Sequence, residues 1–229
     1  MFLTKILLDP SRRLARKYLG SPQVMHAVVL KATGGDDSVG PGRVLWRVDQ
    51  GQTTSLYVLS PTAPDCTQLL NDAGVSGSTS RTLDYGPFLE RLANGQTWGF
   101  RLTANPSRAI PQGPGVRGKR SGHVTVAQQR QWLLDRAEGL GFSLVPYGVD
   151  GEPESSDSSL VVVRRHRPVF GRENLQRGQR DRVTINQTVY EGVLRVTDVD
   201  ALRHSLVAGI GRSKAYGCGL LTLARDRRG

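Results

Sequence analysis

Residues 2 to 8, "FLTKILL", are almost continuously apolar and predict a buried strand that Asp9 and Pro10 stop. In "SPQVMHAVVLKATGG" the apolar residues recur at helical spacing. Ser21 suits the cap, Pro22 the first helical position and Gly34 the exit, so a helix spans 22 to 33. "RVLWRVD" (43 to 49) and "TSLYVLS" (54 to 60) read as two strands joined by a turn. A short helix from about 65 to 70 and a weak strand over 80 to 85 complete strand-helix-strand-strand-helix-strand, the ferredoxin-like order.

The order recurs. "QTWGFRLTAN" (96 to 105) is a strand, and "TVAQQRQWLLDRAEGL" a helix whose Thr125 and Gln128 have capping-box spacing. Strands follow at 141 to 147, 159 to 166 and 188 to 197. Asp198 then caps a helix with Val199, Leu202, Leu206 and Val207 on one face; Gly209 turns the chain out of it, and "GLLTLAR" is the last strand. The expected fold class is α+β, two tandem ferredoxin-like (RRM-like) βαββαβ units, each a small sheet backed by two helices.

Composition sharpens this. A chain of 229 residues suits two units of about 100 residues each. Lysine and arginine number 31 against 20 acids, a net charge of +11 that points to a polyanion, nucleic acid first. The two cysteines, Cys66 and Cys218, form no CxxC pair, so neither a zinc site nor a disulfide framework is suggested and a reducing cytoplasm fits. The opening apolar run is too short for a signal peptide, and no membrane span is expected.

Three segments concentrate the charge. "RRHRPVFGRENLQRGQRDR" (164 to 182) holds seven arginines and reads either as a solvated loop or as a basic hairpin that stiffens on RNA. "ANPSRAIPQGPGVRGKRSG" (104 to 122) is basic, rich in glycine and proline, and carries no acid; it reads as a linker or as a loop tracking a phosphate backbone. "GIGRSKAYGCGLL" (209 to 221) follows a helix and precedes a strand, the reverse of a dinucleotide fingerprint, so a nucleotide cofactor is not expected. It reads as a plain turn or as a phosphate cradle in which Arg212 and Lys214 supply the charge.

No HExxH, aspartate cluster or paired acidic motif offers a divalent ion a site. That leaves the metal-free route to RNA cleavage, in which the 2′-hydroxyl attacks the adjacent phosphate with the help of a proton-transfer group and a cation. Among His26, His123, His166 and His204, His26 is best placed. On the helix from 22 to 33 the apolar stripe is Val24, Met25, Val28, Val29 and Ala32, with His26 on one flank and Lys31 on the other.

"FRLTANPSRAI" with "GKR", "QRQWLLDRAEGLGFSL" and "YEGVLRVTDVDALRHSLVAGIGRSKAYGCGLLTLAR", with the opening "FLTKILLDPSRR" and "MHAVVLKA", closely resemble the CasE family, the CRISPR-associated repeat-RNA endoribonucleases of type I-E (Cascade) systems. The resemblance spans nearly the whole chain. It implies an N-terminal ferredoxin-like domain over 1–88 with the catalytic helix, and a C-terminal one over 89–229 with the basic hairpin and glycine-rich loop. It implies binding of a CRISPR repeat stem-loop and one cut at the stem base, leaving 5′-hydroxyl and 2′,3′-cyclic phosphate ends without metal or cofactor.

By the same resemblance His26 transfers the proton and Lys31 stabilises the phosphorane, while Gln23 stands where some relatives place a tyrosine. RNA contacts are expected from Arg101, Lys119, Arg120, Arg164, Arg165, Arg167, Arg172, Arg177, Arg180 and Arg182, and from Gly209, Gly211, Arg212, Ser213 and Lys214. Other Cascade subunits are the expected protein partners. The alternative is a repeat-RNA-binding subunit that no longer cuts.

Overall fold

The computed structural model describes residues 1–35, 43–113, 115–116, 118–146, 159–174 and 179–225. The first part of the chain forms β1 (Phe2–Leu8), α1 (Arg13–Gly20), α2 (Pro22–Thr33), β2 (Leu45–Gln50), β3 (Thr54–Ser60), α3 (Thr67–Ala73), β4 (Arg81–Asp84) and a short α4 (Gly86–Glu90). The second forms β5 (Thr97–Ala104), β6 (Ser107–Ile110), β7 (Lys119–Gly122), α5 (Val126–Ala137), β8 (Phe142–Leu144), β9 (Val161–His166), β10 (Val169–Asn174), β11 (Gln179–Thr184), β12 (Gln187–Val196), α6 (Val199–Ala208) and β13 (Leu221–Ala224).

The first sheet runs β2-β3-β1-β4, all antiparallel, as a ferredoxin-like unit requires. The second repeats it as β13-β5-β12 with both β8 and β9 on the far edge of β12. β8 and β9 are therefore two pieces of one edge strand. At the break, Ser159 completes the ladder: its hydroxyl donates to the Val193 carbonyl at 3.1 Å and accepts from the Val193 N–H at 3.0 Å.

The continuous apolar runs of β1 and β3 have a cause. Ile6, Leu8, Leu56 and Val58 face α2 and α3, while Leu3, Tyr57 and Leu59 face the other way, into a core shared with Phe100, Leu102 and Tyr190. The first sheet is thus covered on both faces, and no polar alternation survives in its central strands.

The helix ends follow the expected chemistry. The Ser21 hydroxyl accepts from the Val24 N–H, Gly34 adopts the left-handed exit at φ 59°, Thr125 and Gln128 form a complete capping box, and Asp198 accepts from the N–H groups of Asp200 and Ala201. Two expectations need correction. The segment 104–122 is not simply a loop, because β6 and β7 pair as a hairpin between β5 and α5. The short second helix runs over Thr67–Ala73 rather than 65 to 70. Helix α1 is an addition to the expected elements: Leu14, Ala15, Tyr18 and Leu19 recur at helical spacing and pack inward, and Arg12 stands at its start without a side-chain cap. The open choice over 164–182 resolves as a hairpin, β10 against β11, continuing the β9–β12 pair.

One buried side chain joins the two sheets. Arg47, on β2 and 2% exposed, donates through Nε and Nη2 to both carboxylate oxygens of Asp49, at 2.8 and 2.9 Å. Nη1 donates to the carbonyls of Arg101 (2.8 Å) and Leu220 (3.0 Å), and Nη2 to the Thr222 hydroxyl at 2.9 Å. All five guanidinium donors are used, three of them on the second sheet. The guanidinium also lies 5.3 Å from the centre of the Tyr57 ring.

Removing that fork strands Asp49 and three acceptors of the second sheet. Arg47→Ala is expected to cost about 3–5 kcal/mol of unfolding free energy in urea denaturation, with Arg47→Lys recovering only part because an ammonium has three donors rather than five. A loss below about 1 kcal/mol would mean that the fork does not join the halves.

Candidate nucleic-acid interface

Helix α2 is turned relative to the expected stripe. Met25, Val29 and Thr33 are its buried residues, while Val24, Val28 and Ala32 are only half-buried. Thr33 tolerates burial because its hydroxyl donates back to the carbonyls of Val29 and Leu30, both at 3.1 Å. At 100° per residue this rotation brings half-buried His26 to about 60° from the centre of the packed face and leaves exposed Lys31 about 160° away. The two do not face one point. Lys31 lines a small hollow of about 120 Å³ with Tyr18, Asp65 and Asp72.

The glycine-rich loop packs against α2 through its 3-10 turn Lys214–Tyr216, as α1 and α3 do from other sides. The loop is held from several sides. Asn105 Nδ2 donates to the Ser213 hydroxyl at 2.8 Å, Gln187 Nε2 to the Tyr216 carbonyl at 2.7 Å, and the Gly219 N–H to the Thr103 carbonyl at 2.7 Å. Phe170, from the β10–β11 hairpin, meets the Tyr216 ring edge-on at 4.8 Å. Gly217, at φ 76°, lies against the Trp46 indole, where a Cβ would come within 2.7 Å of a ring carbon. Ser213 is the one non-glycine with positive φ (63°) among the described residues, backbone strain of the kind that collects at functional loops.

Lys214 sits half-buried in this loop, its stem against Gly219. Burial first, and then the Arg43 charge, hold its ammonium below the usual lysine range. A desolvated cation beside a second cation favours an anion between or above them. Gly211 and Arg212 are exposed at the loop's crest, and Gly209 forms its entry at φ 75°. Tyr18, on α1 beside α2, is engaged elsewhere: its hydroxyl donates to Asp72 at 2.8 Å. Burial and that carboxylate push its pKa up to about 12, so it keeps its proton at neutral pH.

The basic residues separate into groups. Arg164 lines an interdomain cleft of about 400 Å³ and Arg165 and Arg167 a second hollow of about 370 Å³ with His123, while His166 borders both. Arg165 also donates to the Val124 carbonyl. Lys119, Arg120 and Arg182 are exposed on β7 and β11. Arg101 is already ion-paired with Asp49 at 3.2 Å and with Glu191, which leaves less of its charge for a phosphate. Arg172 and Arg180 lie on β10 and β11, and Arg177 falls outside the described residues.

Sequence reasoning missed the cleft's inner wall. Trp46, Thr103 and Gln187 line it together with Tyr18, yet they come from β2, β5, β12 and α1 and share no local pattern. Among the described residues no cluster of three His, Cys, Asp or Glu side chains is placed to hold a metal ion, and no helix is long and apolar enough to cross a membrane.

This arrangement has counterparts. The "CRISPR-associated endoribonuclease Cse3" of Thermus thermophilus is 30% identical over 227 residues, covering 98% of this chain and 100% of that one. A solved structure of CRISPR endoribonuclease Cse3 bound to 19 nt RNA superposes with a TM-score of 0.77 at 28% identity, covering 98% of this chain and 100% of that one. A chain of a CRISPR RNA-guided surveillance complex in a pre-nicking state superposes with a TM-score of 0.61 at 25% identity, covering 99% of this chain and 100% of that one. Residues 1–225 match the family described as "CRISPR associated protein", and the chain belongs to that family.

Proposed function

We propose that the chain is a CRISPR repeat-RNA endoribonuclease: it binds the stem-loop of a repeat transcript and cuts once at the base of the stem. The observation that carries the reading is the seam where α2, bearing His26, packs against the glycine-rich loop bearing the desolvated Lys214. Full-length similarity to Cse3, whose structure holds RNA, supports the substrate class.

In the seam the RNA's 2′-oxygen attacks the adjacent phosphorus, and the bond from phosphorus to the 5′-oxygen breaks. His26 moves the proton between the 2′-hydroxyl and the leaving 5′-oxygen. The products carry a 2′,3′-cyclic phosphate and a 5′-hydroxyl. Two ammonium groups serve the developing phosphorane charge. Lys214 approaches from the loop; Lys31, about 7.5 Å along the α2 axis from His26 and on another face, reaches the charge only through its long exposed stem.

The basic hairpin and Arg164, Arg165, Arg167 and Arg182 hold phosphates of the stem, Lys119 and Arg120 extend that track, and Arg212 and Ser213 support the strand at the cut. The working division is a catalytic domain over 1–88 and an RNA-gripping domain over 89–229. The similarity to a surveillance-complex chain supports assembly with Cascade subunits in the cytoplasm, the cut RNA staying bound through contacts that cleavage does not break.

Labelled repeat RNA incubated in EDTA is expected to be cut by the wild type, and about 10²–10⁴ times more slowly by His26→Ala. Intact RNA with the wild type would instead identify a binding-only subunit, in line with Gln23 standing where some relatives place a tyrosine. Single-turnover rates of Lys214→Ala and Lys31→Ala separate the two cations: Lys214→Ala is expected to lose about 10²–10³-fold at saturating protein, and an unchanged rate would remove Lys214 from the reaction.

A further inference from the structure

We propose that the interdomain cleft is a subsite for one unstacked nucleobase of the RNA, taken from the single strand next to the scissile linkage. The proposal rests on the endoribonuclease reading above.

The cleft has the size of a small-ligand site, about 400 Å³. Behind its inner wall lie two polar groups, shut off from solvent, for which the described residues supply no hydrogen-bond partner. Trp46 is 3% exposed and Thr103 5% exposed, and neither the indole N–H nor the Thr103 hydroxyl has a hydrogen-bond partner among the described residues. Native folds rarely leave such groups alone, because each has given up water without gaining a partner. One is a donor and the other both donor and acceptor. Every nucleobase edge presents acceptors, and most present a donor as well. Leu19, Val48 and Pro168, half-buried at the cleft, supply apolar surface for a base face, and Arg164 and His166 stand at the same cleft to meet the attached phosphates.

Position selects which base enters. Gly217 of the glycine-rich loop and Met25, the neighbour of His26 on α2, both line the cleft. A base seated there belongs to a nucleotide at the cleavage seam. Paired bases within a stem are stacked with their edges occupied, so only a nucleotide at the stem's end or beyond it can enter at small cost. The subsite would therefore set where along the strand the backbone stops, and so which linkage reaches His26.

Thr103→Val, which keeps the side-chain shape and removes the hydroxyl, tests this against a merely structural role. The readouts are the melting temperature of the free protein and its affinity for repeat stem-loops that each carry one abasic ribose near the stem base. The free variant is expected to melt at or above the wild-type temperature, because an unsatisfied hydroxyl has been removed, while its affinity for intact RNA falls about 5- to 10-fold, the scale of a buried hydrogen bond. At one position the abasic RNA should lose affinity for the wild type but lose little more for Thr103→Val. Trp46→Phe should couple to the same position.

A variant that melts lower would show the hydroxyl to be satisfied within the protein and would overturn the proposal, as would the absence of any coupled position in a wild type that still cuts the stem-loop. A wild type that neither binds nor cuts the RNA would overturn the functional reading and this one with it.

Discussion

A single guanidinium fixes how the two halves of this molecule meet. Arg47 leaves the first sheet and spends three of its five hydrogen bonds on the second, on the carbonyls of Arg101 and Leu220 and the hydroxyl of Thr222. Leu220 directly follows Gly219, so the fork grips the chain where the glycine-rich loop ends. α2 lies on the first sheet and the loop hangs from the second. Their contact, on which the reading of His26 and Lys214 depends, is therefore set by a buried polar lock rather than by apolar packing alone. Packing tolerates sliding; a planar fork with every donor engaged does not.

The same lock sorts the charges. Asp49 neutralises Arg47 and also pairs with Arg101, which Glu191 holds from the other side. Carboxylates are thus spent at the seam between the sheets, while Lys119, Arg120, Arg164, Arg165, Arg167, Arg182 and Arg212 stand exposed along the second half of the molecule. An RNA stem gripped by such residues is held through its phosphates, which gives strong salt dependence but little sequence reading. Reading at the cut falls to the cleft, behind whose wall the Trp46 indole N–H and the Thr103 hydroxyl have no partner among the described residues.

Much of this was legible in the chain and some was not, for physical reasons. Helices announced by caps, such as α2, α5 and α6, and strands announced by long apolar runs, such as β1 and β3, fell where the sequence put them. α1 was hard to read because no cap residue stands at its start, although Leu14, Ala15, Tyr18 and Leu19 share its inner face. The β6–β7 hairpin was silent because four-residue strands set among prolines and glycines show no alternation. His26 and the loop were visible as motifs, but the rotation of α2 that turns His26 toward the packed face and Lys31 away from it depends on burying Thr33, which no hydrophobic count favours. Arg47 and the cleft wall were invisible, since their meaning lies in partners more than fifty residues away.

The most direct measurement is a structure of the chain bound to a repeat stem-loop whose ribose at the cut lacks the 2′-hydroxyl, which halts the reaction with the linkage intact. The account predicts that linkage in the seam between α2 and the glycine-rich loop, with the His26 imidazole within hydrogen-bond reach of the leaving 5′-oxygen and the Lys214 ammonium beside the phosphate. A linkage seated on another face, with the seam closed and empty, would contradict it.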